Sequence, residues 1–211
     1  MLFADPRLFR FVGSYTMGMM MKPAYRSLIL LLASLPVAAL AQFVPDTFTV
    51  PRQFTAKTYK LVPLGPEVAR LDYDAYMSSI EHIRSKMGGK WPSPNLTMDD
   101  QAKDMAGEKA QWDSRKSFPF AVLTPDGSKE LGCFYIRPSA KEGFDAAATM
   151  WTTKDAFDKG FEEVLYRDMK AWLAKEWPFA KVAWPGREMS QAEWRALPAK
   201  PKKRAGGDAP N

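Results

Sequence analysis

The sequence contains one cysteine and one histidine among 211 residues. With Cys133 alone, no intrachain disulfide can form. His82 and Cys133 together exclude metal sites built on two or three histidines or on several cysteines. No carboxylate cluster stands out in the linear order, so the sequence points to no metal. A Ser-His-Asp triad could use only His82, and no Gly-x-Ser-x-Gly elbow accompanies it. Internal repeats are absent. Glycine is scarce where it would matter most: between Trp151 and Leu173 there is only Gly160.

A charge excess is also missing from the body of the chain, although the net charge is +6. Residues 1–41 carry Arg7, Arg10, Lys22 and Arg26 against Asp5. The end of the chain carries Lys200, Lys202, Lys203 and Arg204 against Asp208. Removing these eight basic and two acidic residues from the totals of 30 and 24 leaves 22 of each. A nucleic-acid footprint needs a basic face on the folded domain, and this balance gives none. No nucleic-acid partner is expected. Residues 199–211 read as a basic, solvated tail.

What is present first is a leader. From Met21, Lys22 and Arg26 form a positive start, Ser27–Leu40 is apolar, and Ala39-Leu40-Ala41 matches a small-x-small cleavage pattern. Residues 21–41 therefore read as a signal peptide within a leader of residues 1–41, and the expected location is periplasmic or secreted. Met17, Met19, Met20 and Met21 are alternative translation starts. The apolar stretch is short for a membrane span. An uncleaved leader would make a membrane anchor, the only membrane contact foreseen.

Hydrophobicity, at 46% of residues, is enough for one sizeable core. Residues 42–58 read as an extended lead-in. Tyr59–Leu64 is a short strand that Pro63 confines to an edge or an end position. Val68, Leu71, Ala75, Tyr76, Ile80, Ile83 and Met87 predict one amphipathic helix, stopped by Gly88-Gly89. Thr97 caps a second helix running to about Arg115. Ser117–Thr124 and Glu130–Arg137 form a hairpin around Pro125-Asp126-Gly127. Asp145–Thr153 is a third strand, followed by a polar loop and a helix over about 159–175. Lys181–Trp184 is a last short strand, and Ser190 caps a final helix. The order β-α-α-β-β-β-α-β-α predicts a mixed α/β (α+β) sheet with helices on both faces.

This order resembles the GNAT superfamily of N-acetyltransferases, as do individual segments. LGCFYIRPS resembles that family's third strand and the loop after it. AATMWTTK with the following loop and helix resembles its acetyl-CoA element, and KVAWPGRE its next strand. The likeness covers about Tyr59 to Leu197 and is closest to a bacterial GNAT-like subgroup with WPF…PGRE near the end. It implies a domain over residues 59–198 with a mostly antiparallel sheet. The strand pair that usually closes such domains is missing here. It also implies transfer of an acyl group from acetyl-CoA to a small amine or a protein amine. The alternative is an exported domain of this type without CoA-dependent catalysis, acting as a ligand- or partner-binding module.

In that family, successive backbone N–H groups and a helix N-terminus hold the diphosphate. The matching residues are Asp155, Ala156, Phe157, Asp158, Lys159 and Gly160. Gly160 fits the pattern's last small position, whereas Asp155 and Asp158 replace a polar or basic residue and a glycine. Lys154 and Lys159 could offset them. The thioester oxygen would meet a strand N–H near Met150, Trp151 or Thr152. Tyr135 is the candidate catalytic acid, with Tyr166 as the other possibility; each also reads as a core aromatic. His82 reads as a packing residue. Asp72, Asp74 and Glu81, on one helix, could recognise a cationic amine or simply face solvent. Cys133 reads as a small buried hydrophobe. Arg137 and Arg187 read as structural ion-pair partners that could meet an anion. Direct sequencing of exported protein is expected to start at Gln42; a chain beginning at Met1 would overturn the leader assignment.

Overall fold

A computed structural model describes residues 43–201. The expected leader (residues 1–41), Gln42 and residues 202–211 of the expected tail lie outside the described residues. Six strands form one sheet in the order β1-β2-β3-β4-β5-β6. They are β1 (Phe54–Thr55), β2 (Lys60–Pro63), β3 (Phe118–Leu123), β4 (Glu130–Pro138), β5 (Ala146–Thr152) and β6 (Val182–Ala183). Pairing is antiparallel from β1 through β5 and parallel between β5 and β6. The sheet is therefore mixed, as the element order predicts, and mostly antiparallel, as the family resemblance implies.

Strand parity divides the core in two. Phe118, Phe120, Val122, Phe134, Ile136, Ala146 and Ala148 point to one face. There they meet Leu165, Met169, Trp172 and Leu173 of α5 (Phe161–Glu176). Ala121, Leu123, Cys133, Tyr135 and Trp151 point to the other. That face is covered by α1 (Ala69–Met77), α2 (Ile80–Met87) and α3 (Met98–Asp113). Thr97 closes a capping box with Asp100 at the start of α3, as its sequence position predicts.

Three expectations are corrected. The lead-in contains β1, so β2 is paired on both sides, and Pro63 occupies its end where β1 does not reach. The first predicted helix is two, α1 and α2, broken at Ser78-Ser79. There the Ser79 hydroxyl accepts the backbone N–H of Lys154, so a hydrophobic stripe continuous in sequence bends to reach a distant partner. The polar loop after β5 is largely a short helix, α4 (Lys154–Asp158). After β6 comes α6 (Gln191–Ala196), and no further strand follows among the described residues, only an isolated bridge from Ala199 to Lys141.

β4 carries one irregularity with long reach. Val122 pairs with Gly132 but Leu123 pairs with Glu130, so Leu131 is an extra residue in β4. Gly132 has φ +153, and a Cβ there would lie 2.1 Å from the Trp151 carbonyl oxygen on β5. Only a residue without a side chain allows that approach. Gly132→Ala is expected to cost about 3 kcal/mol or more, because backbone and not a flexible side chain must move. Urea unfolding measures it; a loss below about 1 kcal/mol would contradict the close packing.

Candidate functional site

The stretch from β5 into α5 is built from local capping. The Thr153 side chain accepts the N–H of Ala156 and starts α4. Gly160, at φ +75, then turns the chain in the left-handed region and α5 begins at Phe161. Met150, Trp151 and Thr152 lie on β5, Asp155, Ala156, Phe157 and Asp158 lie in α4, and Lys159 and Gly160 form the link. The two aspartates are offset by lysines as the sequence suggests. Asp155 bonds Lys159 at 2.9 Å and Lys129 at 3.3 Å, while Lys154 bonds Asp158 at 2.6 Å. Lys159, with Lys129 beside it, holds the Asp155 carboxyl below the usual range. Phe157 packs against His82 and under the Lys86 ammonium, and burial pushes the His82 pKa down.

The α5 N-terminus is already occupied by carboxylates. Glu162 is buried and accepts from Thr152 Oγ1 at 3.0 Å and from Arg187 Nη1 at 2.9 Å. Arg187 also bonds exposed Glu163. Arg187 is thus a structural ion-pair partner, and it clasps the turn after β6 to the start of α5. Pairing of β5 with β6 ends at Ala147 and Ala183, so the outer side of Ala148–Thr152 has no strand partner among the described residues. The gap holds a hollow of about 90 Å³ lined by Met87, Thr149, Met150, Trp184 and Arg187. The open strand edge suits a thioester carbonyl. The diphosphate of acetyl-CoA does not fit the α5 terminus as it stands, since two carboxylates hold the helix's positive end and Arg187 already pairs with both.

On the opposite face lies a cleft of about 430 Å³. Trp91, Tyr135 and Trp151 supply aromatic surface, and Asp72, Asp104 and Glu108 supply acid. Met87 lines both this cleft and the β5–β6 hollow. Glu108 Oε2 is buried without a partner, and burial raises the Glu108 pKa against the lowering effect of Arg137, 4.0 Å away. The Tyr135 hydroxyl accepts from Trp151 Nε1 at 3.3 Å, and the Arg137 guanidinium lies over its ring. Burial pushes the Tyr135 phenol well up, so it keeps its proton. Tyr166 is on the other face, donating to Glu188, and the two candidate acids do not meet. Asp72, Asp74 and Glu81 do not converge on one site. Asp74 is exposed and pairs with Arg70, Glu81 belongs to α2, and Asp72 turns inward.

Inward from the cleft is a cluster that linear reading does not reveal. Asp72, Glu130 and Cys133 are buried together. The Cys133 sulfur lies 3.1 Å from Asp72 Oδ1 and 3.1 Å from Glu130 Oε1. Gln101 donates to Asp72 Oδ2 at 2.8 Å and accepts from Tyr76. Cys133 is buried within the apolar cluster as foreseen, but its sulfur also meets two acids. Burial first, then the neighbouring Asp72, pushes the Glu130 pKa far above the usual carboxylate range. Glu130 and Cys133 stand three apart, which a regular strand would send to opposite faces. The extra residue Leu131 restores them to one face. The signal available in sequence is Gly132 inside an apolar strand, a common mark of a bulge.

No protein-family model and no curated protein sequence matches the chain. Solved structures do match. One is a ribosomal-protein-S5-alanine acetyltransferase from Vibrio fischeri, 14% identical, with a TM-score of 0.52 over 68% of this chain and 80% of that one. The chain has the GNAT fold. An acetyltransferase from Thermus thermophilus is 18% identical, with a TM-score of 0.42 over 54% of this chain and 68% of that one. An acetyltransferase from Agrobacterium tumefaciens is 14% identical, with a TM-score of 0.41 over 61% of this chain and 69% of that one. The assignment of the GNAT fold rests on the first. Glu162→Ala is expected to cost about 2 kcal/mol, because Arg187 loses its buried partner but keeps exposed Glu163. Glu163→Ala should stay within about 0.5 kcal/mol. Equal costs in urea unfolding would contradict this division.

Proposed function

We propose that this protein is an acyltransferase-like enzyme, moving an acyl group from an acyl thioester, acyl-CoA in the first instance, to an amine. The observation that carries this reading is the parting of β5 and β6, which leaves an open strand edge adjoining the aromatic and acidic cleft through Met87. A cationic amine is attracted by Asp104 and Glu108 and rests on the Trp91 and Tyr135 rings. Tyr135, holding its proton, is the group there that could donate one. Because the diphosphate lacks its usual seat, no step is assigned to CoA itself. The acceptor would be a small amine or an accessible protein amine.

A second reading is favoured by one observation, the carboxylates at the α5 N-terminus. On that reading the domain binds a cationic ligand or partner without using CoA, which also suits export, since acetyl-CoA is a cytoplasmic metabolite. Calorimetry of the full chain separates the two. The enzyme reading expects saturable acetyl-CoA binding, weakened about tenfold by Thr149→Trp, which fills the β5–β6 hollow. An absence of heat up to millimolar acetyl-CoA would reject it and leave the binding-module reading.

A further inference from the structure

We propose that Asp72, Glu130 and Cys133 form a binding site for one divalent transition-metal ion of the zinc class. The three side chains come from α1 and β4, and one donor atom of each lies within 4.8 Å of the others. Zinc-to-sulfur and zinc-to-oxygen bonds of about 2.3 and 2.0 Å place tetrahedral donors about 3.5 Å apart. The sulfur-to-oxygen separations here are both 3.1 Å, so the donors need to spread only slightly to seat an ion between them.

Glu130 supplies a second, independent observation. It is 1% exposed, its carboxylate is turned to Asp72 and Cys133, and its Oε2 has no hydrogen-bond partner. An orphaned carboxylate oxygen at this depth is costly unless something neutralises it. Among the described residues, no lysine or arginine forms an ion pair with Asp72 or Glu130; their bonded neighbours are Gln101 and Cys133. In the metal-free protein a proton on Glu130 offsets the neighbouring carboxyl, and a bound cation would take that proton's place.

The surroundings resemble a metal site in two further ways. Asp72 is oriented from behind by the Gln101 amide, itself held by the Tyr76 hydroxyl, as outer partners commonly hold a ligand. An ion has a way in, because Asp72 borders the 430 Å³ cleft and Glu130 borders a separate hollow of about 640 Å³. One thiolate with two carboxylates suits zinc, and cobalt(II) as its spectroscopic substitute, over magnesium or calcium, which take oxygen donors. On binding, the Cys133 proton and the proton held by Glu130 both leave to solvent. Three protein donors leave a fourth position open.

The test is titration of the full-length, chelator-treated protein with cobalt(II), followed by displacement with zinc. The expected result is one equivalent per chain, tetrahedral visible bands and a near-ultraviolet sulfur-to-cobalt charge-transfer band, all erased by zinc. Cys133→Ser should abolish the charge-transfer band, and Glu130→Gln should weaken binding about 10- to 100-fold. The wild-type band reports thiolate ligation by itself, so the test survives a variant that fails to fold. Cobalt bound without a charge-transfer band, or no binding at about 100-fold molar excess, would overturn the proposal and leave the cluster as a pair of carboxyls sharing a proton.

Discussion

Gly132 sits at the β4 bulge, and the absence of its side chain lets the Trp151 carbonyl come within what would be 2.1 Å of a Cβ. Two consequences follow from this one contact. β5 is held tightly to β4 along its whole length, from Ala146 to Thr152, so it can part from β6 without leaving the sheet. The bulge also shifts strand parity, carrying Glu130 to the face that Cys133 occupies. The buried acidic cluster is the product of one inserted residue in one strand.

Electrostatics then separates the two faces. On the α5 side, the charges around the turn from β5 are paired: Lys154 with Asp158, Lys159 and Lys129 with Asp155, Arg187 with Glu162 and Glu163. These pairs neutralise one another, and the Lys86 ammonium lies beside them over the Phe157 ring. On the α1–α3 side, carboxyls outnumber their partners. Glu108 and Glu130 each keep an oxygen without a hydrogen-bond partner among the described residues; Glu108 lines the aromatic cleft and Glu130 the separate 640 Å³ hollow. The fold thus keeps its unpaired carboxyl oxygens on the face where an amine or a cation would arrive.

Much of this fold is legible in the chain. The hairpin at Pro125-Asp126-Gly127, the Thr97 and Ser190 caps and the α5 stripe are local patterns whose physics is contained in a few neighbouring residues. The break at Ser78-Ser79 is not legible, because its cause is the Lys154 amide 75 residues away. The helical turn at Lys154–Asp158 is masked by its likeness to a polar loop, although Thr153 is an ordinary N-cap. Met150–Thr152 and Tyr135 fall on strands β5 and β4, the elements the sequence gives them, whereas Asp72 turns inward from α1. Glu130 is invisible in the linear order, since a three-residue spacing from Cys133 argues against contact in any regular strand.

The cluster depends on Glu130 facing Asp72 in the interior, and its carboxyl carbon reports that directly. In metal-free protein labelled with ¹³C at glutamate side chains, Glu130 should titrate far above the ordinary glutamate range, because burial and the adjacent Asp72 both disfavour its charge. A Glu130 carboxyl titrating near 4.5, like a solvated glutamate, would contradict the bulge, the shifted parity and the site built on them.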